Sequence, residues 1–117
     1  MVRLVPCVER EEFVNVGIIL YCPQQQFLRS AFVIDESRIR AICSDVDIGE
    51  VKEHFRSFEQ ICIGGESAGP IGLLPAGERF RWLTAPRSTI VQTSPTHTGL
   101  TADAEETLEH LLTKMVK

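Results

Sequence analysis

Ten residues, Phe13-Val14-Asn15-Val16-Gly17-Ile18-Ile19-Leu20-Tyr21-Cys22, organise the rest of the chain: apart from Asn15 and Gly17, every side chain in the run is apolar or aromatic. The run is half the ~20 residues that a membrane helix needs, and its branched side chains favour extended backbone. It therefore reads as a central strand buried on both faces. Gly17 offers no side chain to pack, so it predicts a bulge or the close approach of another backbone.

Working outward, Val2 to Val8 is a second strand, and Pro6 within it, lacking an amide donor, predicts an edge position. Glu9, Arg10, Glu11 and Glu12 connect the two strands. On the other side Pro23 to Gln26 forms a turn into a third strand, Phe27 to Ile34, so that the first three strands make a meander. Asp35 caps a short helix through Cys43. Asp47 and Glu50 then resemble a capping box, followed by Val51, Phe55, Phe58 and Cys62 at helical spacing, with Gly64 and Gly65 as the stop. Residues 66 to 74 read as loop. From Pro75 to Leu83 two readings stand: a short helix, or a strand in which Phe80 and Trp82 alternate with Arg79 and Arg81. Ser88 to Thr93 is a fourth strand. From Asp103 a last helix carries the stripe Leu108, Leu111, Leu112 and Met115, with basic residues at its end to suit the helix dipole. The expected fold is α+β. A mostly antiparallel four-stranded sheet (2–8, 14–22, 27–34 and 88–93) is covered mainly on one face by helices near 48–62 and 103–116.

With 117 residues and 13.1 kDa the chain fits a single domain, 1–117, and its 44% hydrophobic and 24% charged residues are those of a globular protein. Twelve basic against sixteen acidic residues give a net charge of −4, the wrong sign for gripping nucleic acid through its phosphates. Cys7, Cys22, Cys43 and Cys62 stand singly, with no spacing that gathers a metal, and read as reduced thiols. No apolar stretch resembles a signal or an anchor, so a cytoplasmic location is expected, without membrane, metal or cofactor. The residues leave homo-oligomerisation open.

Charge is unevenly placed. Residues 67–100 hold three basic and one acidic side chain, whereas residues 1–66 hold seven and eleven. Arg79, Arg87, Ser88 and His97 therefore compose a candidate site for an anion or nucleotide, with Trp82 and Gln92 in the same segment. A second constellation is Arg10, Glu11, Glu12 and Asn15, and an ion pair between Glu11 or Glu12 and Arg79 or Arg87 is the expected link between the two. Ser88 or Ser94 with His97 and Glu12 has the residue types of a hydrolytic triad, but no GxSxG elbow accompanies it, and no residue set specifies a reaction.

Two long stretches, Val5 to Cys22 and Gly69 to Gly99, resemble the bacterial family of domain of unknown function three-zero-three-seven, and the resemblance runs over nearly the whole chain. The matching positions are Arg10, Glu11, Glu12, Phe13, Asn15 and Gly17 at the front, and Glu78, Arg79, Phe80, Trp82, Pro86, Arg87, Ser88, Gln92, Ser94, His97 and Gly99 at the back. The resemblance supplies no reaction and no catalytic residue. It implies gene neighbourhood with a HipA-like kinase of the toxin-antitoxin kind. The function expected from it is an interaction or regulatory protein that partners that kinase; the alternative is a small anion- or nucleotide-binding protein, with hydrolysis as one use of the bound group.

Overall fold

The apolar run forms the longest strand of a four-stranded antiparallel sheet. The computed structural model describes residues 1–5, 12–85, 91–99 and 101–116. Its strands are β1 (Val2–Leu4), β2 (Val14–Cys22), β3 (Phe27–Phe32) and β4 (Val91–Thr93), in the order β3-β2-β1-β4. Among the described residues four α-helices accompany them, α1 (Glu36–Ile42), α2 (Ile48–Ile63), α3 (Ala76–Thr84) and α4 (Ala104–Met115), with short 3-10 turns at Pro23–Gln25, Glu66–Ala68 and Pro70–Leu73. The α+β expectation is met.

Gly17 shows how one strand can be apolar throughout. Val2 pairs with Gly17 but Arg3 pairs with Asn15, so Val16 is an extra residue in β2. Such a bulge resets the alternation of side chains. Val14 and Val16 lie on one face and Ile18 on the other, while Ile19 returns to the first. A Cβ on Gly17 would sit 2.4 Å from Phe32 Cδ1 and 2.7 Å from the Ala31 carbonyl oxygen. The bulge and the close approach are therefore the same place.

The sheet is sandwiched rather than covered mainly on one face, which corrects the expectation. On one side Val2, Leu4, Val14, Val16, Leu28 and Val91 pack against Val51, Phe55, Phe58 and Ile61 of α2 and Leu83 of α3. On the other, Ile18 meets Leu108, Leu112 and Val116 at α4, with Leu20, Phe27, Ala31 and Val33 beside them. Along β3 the residues alternate between these two clusters, as a pleated strand requires. Each fully buried aliphatic side chain contributes about 1.5–3 kcal/mol, so both layers help to hold the sheet.

A second correction concerns β1. It pairs with both β2 and β4 and is an interior strand; Pro6, the reason for expecting an edge, lies after its last residue and outside the described residues. The edges are β3 and β4. Residues 86–90, the start of the expected fourth strand, also lie outside the described residues.

The helix starts follow the sequence closely. Asp35, Asp47 and Asp103 accept hydrogen bonds from the backbone N–H groups of Arg38, Glu50 and Glu106, each at 3.2 Å. The 75–83 ambiguity resolves as helix: Ala76, Phe80 and Leu83 recur at helical spacing on the inward side, and Phe80 stacks on Tyr21 with ring centroids 5.3 Å apart.

Candidate functional site

The bulge has a consequence for polar chemistry. It brings Asn15 opposite Arg3, and on the next strand Arg3 faces Gln92, so three polar side chains form one row across β2, β1 and β4. The Arg3 guanidinium lies over the Phe13 ring, 4.4 Å from its centroid, an arrangement that attracts through the ring quadrupole. Arg3 Nε is buried with no acceptor, and Asn15 Oδ1 is buried with no donor. Asn15 Nδ2 donates to the Met115 carbonyl at the end of α4, 3.4 Å away. None of the ion pairs among the described residues involves Arg3. The Met1 ammonium, which donates to Ser94 Oγ at 3.0 Å, is pushed down in pKa by burial first and by the Arg3 charge second.

Around this row the surface is apolar: Phe13 is 46% and Met115 43% exposed. Beside Asn15 opens a cleft of about 230 Å³ walled by Val14, Val33, Ile39 and Val116, where Arg38 Nη1 donates to the Val116 carbonyl at 2.9 Å. A cation stacked on an aromatic ring, two flanking amides and a methionine can recognise an acidic or amide-bearing group.

The family model described as Protein of unknown function (DUF3037) matches residues 1–116. The chain belongs to this family. No curated protein and no solved structure matches it.

Within this member of DUF3037 the two sequence-derived constellations fare differently. Arg79 is a structural residue: Nη1 donates to the carbonyls of Ile61 and Cys62, both at 2.7 Å, and Nε donates to Leu74 at 3.0 Å. It closes the C-terminus of α2, where carbonyls lack helical partners. The chain leaves that end through Gly64 at φ 83°, and a side chain there would meet Arg79 Nη1 at 2.9 Å. Of the expected pairings of Glu11 or Glu12 with Arg79 or Arg87, those through Glu11 and Arg87 lie outside the described residues, and the described hydrogen bonds of Arg79 go to main-chain carbonyls. Trp82, 40% exposed, sits one turn along α3 rather than in the core, and His97 is exposed in a segment without regular secondary structure. Arg10, Glu11, Arg87 and Ser88 lie outside the described residues. Ser94 is buried, its hydroxyl donating to the Pro95 carbonyl at 3.2 Å and accepting from Met1, so its described contacts are main-chain ones.

Of the predicted residues, Asn15 and Gln92 are brought into one row, with Glu12 leading into the same strand. Arg3, the cation at its centre, was absent from the sequence candidates. The signal for it is the alternation Val2-Arg3-Leu4, in which a lone cation must face away from the core that takes its neighbours.

Proposed function

We propose that the chain is an interaction or regulatory subunit that docks on a protein partner through the face of Arg3, Phe13, Asn15 and Met115, and that the partner is a HipA-like kinase of a toxin-antitoxin-like pair. The observation that supports the docking face is the Arg3–Phe13 stack, with the guanidinium 4.4 Å from the ring centroid, beside an exposed Met115. Arginine, aromatic and methionine side chains are the types that interfaces concentrate. A cation without a described carboxylate partner calls for an acidic group on the other side. The kinase identity rests on the family resemblance alone.

The test is co-expression with the product of a neighbouring kinase gene, followed by size-exclusion chromatography and a kinase assay. The expected result is one co-eluting complex with altered kinase activity, disrupted by Arg3→Glu and by Phe13→Ala in a protein whose thermal unfolding is preserved. Independent elution with unchanged kinase activity overturns it. A small anion or nucleotide is the second reading, and Arg3, which has no ion-pair partner among the described residues, favours it over a site at Arg79. A ligand at one hundred times its dissociation constant would raise stability by ~2.7 kcal/mol. Phosphate and ATP arms in a thermal-shift assay, with Arg3→Gln as control, distinguish it from the protein partner.

A further inference from the structure

β3 is an edge strand whose guard among the described residues is one charge, Arg29, with neither proline nor bulge beside it. Its six residues, Phe27-Leu28-Arg29-Ser30-Ala31-Phe32, include no proline, and their pairing with β2 is regular. Natural monomers blunt such edges with bulges, prolines or inward-pointing charges. Here the one charge, Arg29, lies over Phe27 and reaches Glu105 of α4 at 3.6 Å. The N–H of Val33 donates to the Val16 carbonyl at 2.8 Å. By the alternation of an antiparallel ladder, the main-chain groups of Phe32, Ser30 and Leu28 then point away from β2.

We propose that this edge pairs with the same edge of a second copy, antiparallel, with Ser30 opposite Ser30 of the other copy. Both sheets then join into one, about a two-fold axis perpendicular to the sheet. Residues facing each other across that axis share a face only when their pairing preserves the pleat, which restricts the choice to a few registers. Centring on Arg29 would set two like charges directly opposite, a destabilising arrangement. Centring on Ala31 would push Phe27 and Leu28 past the end of the partner strand. Centring on Ser30 pairs Leu28 with Phe32, Phe27 with Val33, and Arg29 with the small Ala31. The outward groups of Leu28, Ser30 and Phe32 all find partners in that register.

A second feature of the same edge fits this occupant. At the Leu28 end Ile63, 81% exposed, borders a groove with Tyr21, Phe27 and Leu28. At the Phe32 end a groove of about 370 Å³ is lined by Phe32, Ile34 and Phe55 together with the charged Lys52, Arg56 and Glu59. The two-fold axis brings the Ile63 end of one copy to the Phe32 end of the other, so an exposed apolar side chain meets a groove that offers it Phe32, Ile34 and Phe55, twice. This surface is on the opposite side of the sheet order from β1 and β4, and it stands or falls independently of the kinase reading.

The test is light scattering coupled to size-exclusion chromatography, from low-micromolar to submillimolar protein. The expected mass approaches twice the 13.1 kDa of the chain as concentration rises. Ser30→Pro removes an outward N–H while sparing the ladder to β2, and it should give a monomer with an unchanged circular-dichroism spectrum. Ala31→Lys sets a like charge against Arg29 of the partner and should also give a monomer, while adding Arg29→Glu should restore the dimer. Should a variant not fold, mixing Arg29→Cys and Ala31→Cys copies under oxidation decides: peptide mapping should find a bond between positions 29 and 31 of different copies. A monomer at every concentration, a dimer that survives both single substitutions, or a bond joining two copies of position 29 overturns the proposal.

Discussion

Replacing Arg79 by alanine should destabilise the protein as the loss of a helix cap, not alter it as the loss of a ligand-binding cation. Three carbonyls lose their donor: Ile61 and Cys62, which share Nη1, and Leu74, which takes Nε. Hydrogen bonds from charged groups contribute ~1.5–3 kcal/mol each. Counting the shared nitrogen once gives two effective bonds, hence ~3–6 kcal/mol before relaxation. The freed carbonyls stand at a helix end beside exposed loop residues, so water recovers about half of that, leaving ~1.5–3 kcal/mol by the same bond scale. For a chain of this size that corresponds to a fall in Tm of roughly 6–12 °C. Urea denaturation with an unchanged m-value is the assay, and Arg79→Lys should fare little better than alanine, since an ammonium lacks the planar fork that spans both sides of the junction. The neighbouring, exposed Arg81 supplies the control: Arg81→Ala should stay within ~0.5 kcal/mol. Equal, small effects at the two positions would refute the capping role and return Arg79 to the list of cations free to bind an anion.

Two further outcomes are expected. Gly17→Ala should cost ~2–3 kcal/mol, at the upper end of overpacking, because a carbonyl as well as the Phe32 ring blocks the new methyl; a change below ~0.5 kcal/mol would mean the bulge relaxes freely. Burial pushes the Cys62 thiol up in pKa, with the nearby Ser30 hydroxyl and Arg79 charge offsetting only part of the effect and Glu59 adding to it. The folded state then keeps a proton that the unfolded chain releases, so this contribution is fully present below the ordinary thiol pKa and is lost as pH rises from there toward the raised folded value. Urea midpoints at neutral and alkaline pH should therefore converge in Cys62→Ala relative to the parent, and parallel declines would rule the linkage out.

What the sequence disclosed divides along physical lines. Helix ends were legible because capping is local: Asp35, Asp47 and Asp103 act on amides three residues away, and no distant contact competes with them. The 75–83 segment was not, since Arg79 and Arg81 alternate with Phe80 and Trp82 in the strand period while Ala76, Phe80 and Leu83 obey the helical one. Tertiary packing of Phe80 on Tyr21 decided it. The edge assignment of β1 failed because Pro6 was counted inside a strand that ends at Leu4, and a proline restricts only the backbone it occupies. The main-chain role of Arg79 was illegible for a related reason. Composition reveals that cations are present in a segment, but an arginine five residues after a bend can reach back to carbonyls that the sequence cannot weigh.

The bulge at Val16 and Gly17 is where fold and site meet. If the same residues ran as a regular strand without a bulge, β2 would keep one parity from Val14 to Cys22, and either Val14 and Val16 or Ile19 and Tyr21 would leave the α2 layer. With it, the strand serves the α2 core along both halves and gives Ile18 and Leu20 to α4. The same slip sets Asn15 opposite Arg3 instead of the next residue along, which places an amide and a guanidinium side by side under the end of α4. Deletion of Val16 would remove the extra residue while leaving Val14, Ile19 and Tyr21 on the α2 face and Arg3 opposite Asn15, so it should cost chiefly the buried Val16 side chain and keep the polar row, whereas Arg3→Gln would lose the row and leave the core intact.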